Sequence, residues 1–428
     1  MIDWLSNFWL NYQLKIALKQ NKQNKAKKIL KQIEASGNKL SWLAALYKQQ
    51  LQTNNSLTYY QEELTQISDR LKEIAPDSDR LKPQPEFINY IYQCFKLNEI
   101  DCSLIQTTGI DKPVFTDLEI ALSEFITEEI NKVPDEKRDR ELNRALEDLS
   151  GLKKGIDPLY NCRLTPHIYF ILYFIDNIYC LYLAWFLIYQ QGLLRENTKI
   201  LDIAAGVNTS IFSLAILSSS LNRFSSKSIA QVNYYSLERQ ADLQYRGLQF
   251  WRRYIESFPK PLNTYFRFNT ADLFDYQNYS NKIPKQFFDF IVISHCFFYE
   301  SESRERSSQI YRQIFKRNLT PDGRVLLIIQ GKKLFNTFDT PMTEDIDRER
   351  MVVQMFLEEL GLKLDWYKYL SSTNKRIGNK KQFAKYAKNN LPPQEHISNL
   401  SKTYLNRGYI THYAVDDYVI LASPCELF

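Results

Sequence analysis

From about residue 156 to the C-terminus, short apolar runs alternate with segments whose apolar residues recur at three and four, and nothing else constrains the chain so much. The runs are TKILDIA, VNYYSLE, TYFRFNTADLF, FFDFIVISH, GRVLLIIQ, LKLDWYKYL and DYVILAS. FFDFIVISH is apolar on both faces, as a central parallel strand must be. Seven such strands with helices between them predict an α/β fold, a doubly wound and mostly parallel sheet. Ligands in these sheets bind at the carboxyl ends of the strands, where Asp202, Glu238, Asp272 and the Ser294–His295 pair fall.

The stretch KILDIAAGVNTS, from Lys199 to Ser210, reads as strand, tight turn and helix, because IFSLAIL follows at helical spacing. The chain has only 12 glycines in 428 residues, so Gly206 at this switch is not filler. A glycine there lets the backbone approach a ligand, and the next helix offers unpaired N–H groups.

Residues 1–115 are predicted to be a helical N-terminal domain, with Gly37 and Asn38 turning between two helices rich in lysine. That basic surface suits a solvated helix face, or a contact for a nucleic acid or protein partner. Residues 116–155 read as a charged helical connector, a surface pair laced by ion pairs, and 156–428 as the α/β domain. The run Ile168–Tyr189 is long enough to cross a bilayer, but Asp176 and Asn177 interrupt it and tyrosines recur along it. A buried core helix is the favoured reading over a membrane span. The net charge of +6 permits nucleic acid without arguing for it, and the six cysteines form no CxxC pair, which excludes common zinc and iron–sulfur spacings. A cytoplasmic protein is the default expectation.

In the order of these motifs the chain resembles class I S-adenosylmethionine-dependent methyltransferases, over about residues 160–428. The resemblance implies a Rossmann-like fold and S-adenosylmethionine as cofactor. It implies that Asp202, Ala204, Gly206 and Asn208 hold the cofactor's methionine end, with Ala204 and Asn208 standing where the family usually has glycine. It further implies that Glu238 binds the ribose hydroxyls, that Asp272 and Leu273 contact the adenine, and that Ser294, His295 and Cys296 face cofactor and substrate. SHCFFY, an arginine-bearing helix and LTPDGRVLLIIQGKKLF are also similar to methyltransferase-like proteins associated with the small ribosomal subunit of mitochondria and to their bacterial relatives. The cluster-binding cysteines of the mitochondrial members are absent here.

Transfer of a sulfonium methyl needs a nucleophile placed in line and water excluded, and no metal. If the nucleophile must lose a proton, His295 is the best-placed base; a structural hydrogen bond is the competing role. Between the last two strands, a basic insertion at about 371–410 carries TNKRIGNKKQFAKYAKNNLPP, in which Lys380, Lys381, Phe383 and Tyr386 interleave charge with rings. That pattern suits a phosphate backbone with stackable bases, or simply a solvated loop. The expected substrate is RNA or a ribosomal particle, with a protein or small metabolite behind it. The rivals are a cofactor-binding assembly or scaffold factor without turnover, and a nicotinamide-dependent oxidoreductase, the latter disfavoured because GVNTS lacks GxGxxG.

Overall fold

The computed structural model describes residues 10, 13–14, 17, 23–35, 79–154, 158–160, 162–298, 300–378 and 380–425. The chain divides into two compact units, Met1–Ser78 and Asp79–Phe428. The division falls well before residue 115. Residues 79–115, expected with the N-terminal helices, and the whole 116–155 stretch therefore belong to the second unit.

In the first unit the helix Gln23–Ala35 buries Ala26, Ile29, Leu30 and Ile33 along one stripe, against Leu14 and Ala17. Lys25, Lys27, Lys28 and Lys31 lie on its exposed face, as a solvated amphipathic helix requires. The Gly37–Asn38 turn and the second helix expected after it lie outside the described residues.

The second unit is built on one sheet of nine strands: β1 (Asn98–Glu99), β2 (Leu104–Gln106), β3 (Asn197–Ile203), β4 (Gln231–Glu238), β5 (Asn263–Thr270), β6 (Phe288–Ser294), β7 (Leu319–Gln330), β8 (Leu362–Ser371) and β9 (Asp416–Pro424). Their order is β1-β2-β8-β9-β7-β6-β3-β4-β5. From β5 across to β7 all pairs are parallel, and β9 runs antiparallel between β7 and β8. The chain thus winds from β3 outward through β4 to β5, then returns to the other side of β3 for β6 and β7. That reversal makes the switch point of a doubly wound sheet lie between β3 and β6.

Two expectations are corrected here. The sheet has nine strands, not seven, because β1 and β2, in a region read as wholly helical, form a hairpin whose second strand lies parallel to β8 at the edge. The fifth strand begins before the run GRVLLIIQ expected for it: TPDG also lies within β7, where the register jumps from Phe288↔Leu319 to Phe290↔Arg324. A Cβ on Gly323 would stand 2.8 Å from the Phe288 carbonyl, which is why this bulge carries glycine.

Side-chain alternation along the strands fills two cores. Ile200, Val232, Phe290, Val292, Leu326 and Val419 face one helical layer, and Leu201, Ile203, Ile291, Ile293, Leu327 and Ile420 face the other. The first layer contains α1 (Lys112–Asn131), α2 (Thr165–Gln190), α3 (Thr209–Leu221) and α4 (Ala241–Tyr254). The second is built on α5 (Ser301–Asn318) and α6 (Ile346–Glu359). Helix α2 is the apolar run whose length matches a bilayer; its mean hydropathy is 1.7, and 78% of that window is buried inside the protein. Helix α1, expected on the surface, buries Phe115, Leu118, Leu122, Phe125 and Ile126; its ion pairs include Glu124 and Glu128 with Arg253 at the outer edge and the buried Glu129 with Arg246. Phe125, Phe170, Phe174, Phe212 and Phe250 then join α1 to α4 through ring contacts.

Candidate functional site

At the tip of β3 the backbone leaves the strand through three residues in the left-handed region, Ala204 (φ 55°), Gly206 (φ 54°) and Asn208 (φ 65°). The tip of the adjacent β6 carries a fourth, His295 (φ 58°), whose N–H donates to the Ile328 carbonyl at 2.8 Å. Each non-glycine in that region costs about 1–3 kcal/mol, and such strain collects where geometry serves a site. Here it lies on both sides of the switch point.

Glu238 ends β4 and turns its carboxylate onto this turn. One oxygen accepts the Gly206 N–H at 2.9 Å and the other the Gln240 N–H at 2.8 Å. A Cβ built on Gly206 would meet nothing nearer than Tyr169 Oη, at 3.7 Å, so the turn borders open space roofed by a tyrosine of α2. A nucleoside with a charged tail fits this set: backbone free to approach, a carboxylate at the adjacent strand tip, and the N-terminus of α3 beside them.

The other expected cofactor residues divide. Asp202 is 2% exposed and accepts the Tyr234 O–H at 2.5 Å; burial pushes its carboxyl up to about 7, with Glu238 adding to the rise and Tyr234 opposing it. Asn208, also buried, occupies the N-cap position of α3 without a side-chain capping bond, its Nδ2 close to Gly247 of α4. The structure buries both side chains beneath the turn, Asp202 on Tyr234 and Asn208 against α4. Asp272 accepts the Phe274 N–H at 2.9 Å and pairs with Arg239 at 3.5 Å across the tips of β4 and β5. Leu273 packs half-buried beside it. Ser294 Oγ is buried at the end of β6 without a hydrogen-bond partner.

Four side chains that the sequence did not single out as functional lie beside these strand tips. Tyr169 and Tyr173 stand on α2 where its first turns widen into a π-helical stretch, Phe170–Phe174. Asp176, one turn on, is water-accessible, yet surrounding protein pushes its carboxyl up to about 7, Asp417 adding to the rise while Gln394 Nε2 donates to it at 2.6 Å. Asp417 opens β9 opposite Gln330 of β7 and stands 3.8 Å from His295 Nδ1. The signals present in the sequence were an acid inside an apolar run and an acidic pair preceding YVILAS.

The basic insertion does not assemble as expected. Arg376, counted with its lysines, is 3% exposed and bound to Asp101 and Glu349. Tyr386 donates to the Ser372 carbonyl at 2.9 Å and accepts from Gln106, so it pins the insertion to the sheet edge. Phe383 is exposed. Lys380 and Lys381 start the helix Lys380–Asn390, but their side chains lie outside the described residues.

No protein-family model matches the chain, and no curated protein is similar to it in sequence. Among solved structures it is similar to an S-adenosylmethionine-dependent methyltransferase from Methanosarcina mazei, at 13% identity over 55% of this chain and 95% of that one (TM-score 0.31). It is similar to magnesium protoporphyrin IX methyltransferase from Synechocystis, at 11% identity over 68% and 98% (TM-score 0.30). It is also similar to a methyltransferase from Clostridium acetobutylicum, at 12% over 61% and 97% (TM-score 0.33). Identities and scores this low leave the description of the fold to the strand order and the switch point, which are those of a doubly wound, Rossmann-like α/β sheet.

Proposed function

We propose that the chain binds S-adenosylmethionine at the tips of β3 and β4 and transfers its methyl group to an acceptor in the crevice under α2. The observation that carries this reading is the Glu238 carboxylate held against the Gly206 N–H beside an open turn. When bound, S-adenosylmethionine supplies a methyl group already activated on sulfonium. Glu238 would hold the ribose hydroxyls and the turn at Gly206 the methionine end. Asp272 and Leu273, at the tip of β5, would border the adenine. Tyr169 and Tyr173 would cover the bound cofactor and exclude water.

For the acceptor we favour a small molecule or a protein side chain over RNA. What supports this is that Arg376 and Tyr386, the inner part of the basic stretch, are engaged in contacts that hold the sheet edge. A cofactor-binding scaffold without turnover has the same pocket and differs only in outcome. Titration calorimetry is expected to show S-adenosylmethionine binding and no NAD binding, with Glu238→Ala weakening affinity at least about tenfold, the order of one charge-assisted hydrogen-bond pair. Unchanged affinity in Glu238→Ala would mean the pocket lies elsewhere. Transfer of radiolabelled methyl from the cofactor to nuclease-treated cell extract separates an enzyme on small or protein acceptors from a scaffold, which transfers none.

A further inference from the structure

His295 is held in place by its backbone, not by its ring. Its N–H is tied to β7 and its φ is left-handed, so the imidazole projects from the tip of β6 with its side chain a quarter exposed. Asp417 Oδ1 lies 3.8 Å from its Nδ1, on a strand separated from β6 only by β7. Asp417 is itself fixed: β9 is paired on both sides, with Gln330 and Leu370 opposite this residue, and the buried Cys180 thiol of α2 faces its carboxylate. The remaining charged groups around the pair are Asp176 of α2 and Lys333 of the helix Gly331–Asn336 that follows β7.

We infer that Asp417 is a positioning residue that holds the Nδ1–H of His295, leaving Nε2 as the proton acceptor for the methyl-accepting group, which therefore carries a removable proton on nitrogen or oxygen. This rests on the proposed methyl transfer. The acceptor's N–H or O–H bond breaks, its electron pair stays on the heteroatom, and the proton passes to Nε2; the imidazolium then returns it to water. A separation of 3.8 Å is one side-chain adjustment longer than a hydrogen bond, and at that distance the carboxylate already favours the proton on the nitrogen that faces it. The environment of the imidazole suits this role. Burial, with Lys333 adding to it, pulls its affinity for protons below the ordinary histidine value, and Asp417 opposes that pull. A neutral ring at neutral pH can accept a proton, and a carboxylate behind it stabilises the cation formed. The pair explains why a histidine in a strained conformation and an acid at the start of the last strand meet at the same end of the sheet.

The test is nitrogen NMR of the full-length chain labelled in histidine, with His295 assigned by its loss in His295→Gln. Above the titration midpoint, wild-type His295 is expected as the Nδ1–H form, with Nε2 unprotonated. In Asp417→Asn the midpoint is expected to fall by about half a pH unit or more, since the charge that favours the imidazolium is gone. An Nε2–H form in the wild type, or an unmoved midpoint in the variant, overturns the inference. The wild-type spectrum alone decides the tautomer should Asp417→Asn fail to fold. These spectra are recorded without cofactor, so failure of the pair is distinct from failure of S-adenosylmethionine to bind by calorimetry, which would remove the reaction that the pair serves.

Discussion

Gly247 shows how much of the site is fixed by single atoms. A Cβ there would stand 2.5 Å from the Val207 carbonyl and 2.7 Å from Asn208 Nδ2, so α4 presses directly on the underside of the β3 turn. Gly247→Ala is expected to cost about 1–3 kcal/mol by overpacking, read as a lower unfolding temperature, and to weaken S-adenosylmethionine binding without touching the ligand. Asp202 lies in the same layer. Its folded carboxyl titrates near 7 against 3.8 in the unfolded chain, so the folded state holds a proton that the unfolded state has lost between those values. Stability contributed by this group is therefore complete below about pH 4 and declines as pH rises to 7. Asp202→Asn, which keeps an acceptor for Tyr234 but cannot ionise, is expected to gain roughly 1–4 kcal/mol on the wild type over that interval, measured by denaturant unfolding at both ends. The sequence placed Asp202, Gly206 and Glu238 at one end of the sheet because strand alternation and a glycine switch are local signals. It could not tell that Asp202 and Asn208 face inward, since that depends on Tyr234 and Gly247 from two later elements.

The strands of the parallel sheet were legible element by element because each is a long apolar run. β1 and β2 were not, being two and three residues long, and what holds them is remote in sequence. Arg376 reaches from the basic insertion to Asp101, in the hairpin, with two hydrogen bonds of 2.8 and 3.0 Å, and to Glu349 of α6 at 2.9 Å. Ser103, Tyr367 and Tyr418 complete the shell of Glu349, which is fully buried. Composition counted Arg376 as surface charge, but among the described residues it is the basic side chain that pairs with both of these acids. Arg376→Met leaves both carboxylates unpaired and is expected to cost about 3–5 kcal/mol. Hydrogen exchange should then show β1 and β2 opening while β3 to β6 stay protected, because the hairpin is tied to the sheet only through β8.

Over the whole molecule, the two helical layers and the sheet of residues 79–428 form one unit with its own cores. A fragment of residues 79–428 is expected to unfold in a single cooperative transition and to bind S-adenosylmethionine as the full chain does; calorimetric scanning with and without cofactor checks both. Helix α2 runs through the middle of this unit, and its widened stretch at Phe170–Phe174 holds one residue more per turn than a regular helix. Loss of any single codon there would leave composition, charge and hydropathy almost unchanged, yet would let the segment close into ordinary α geometry. The surplus residue is what such a deletion removes, so the turns before and after it would keep nearly the same register. A codon lost from the regular part that follows would instead turn Tyr169 and Asp176 together by about 100° off the strand tips, so position along one helix decides whether an in-frame deletion of three nucleotides spares the cleft or disables it.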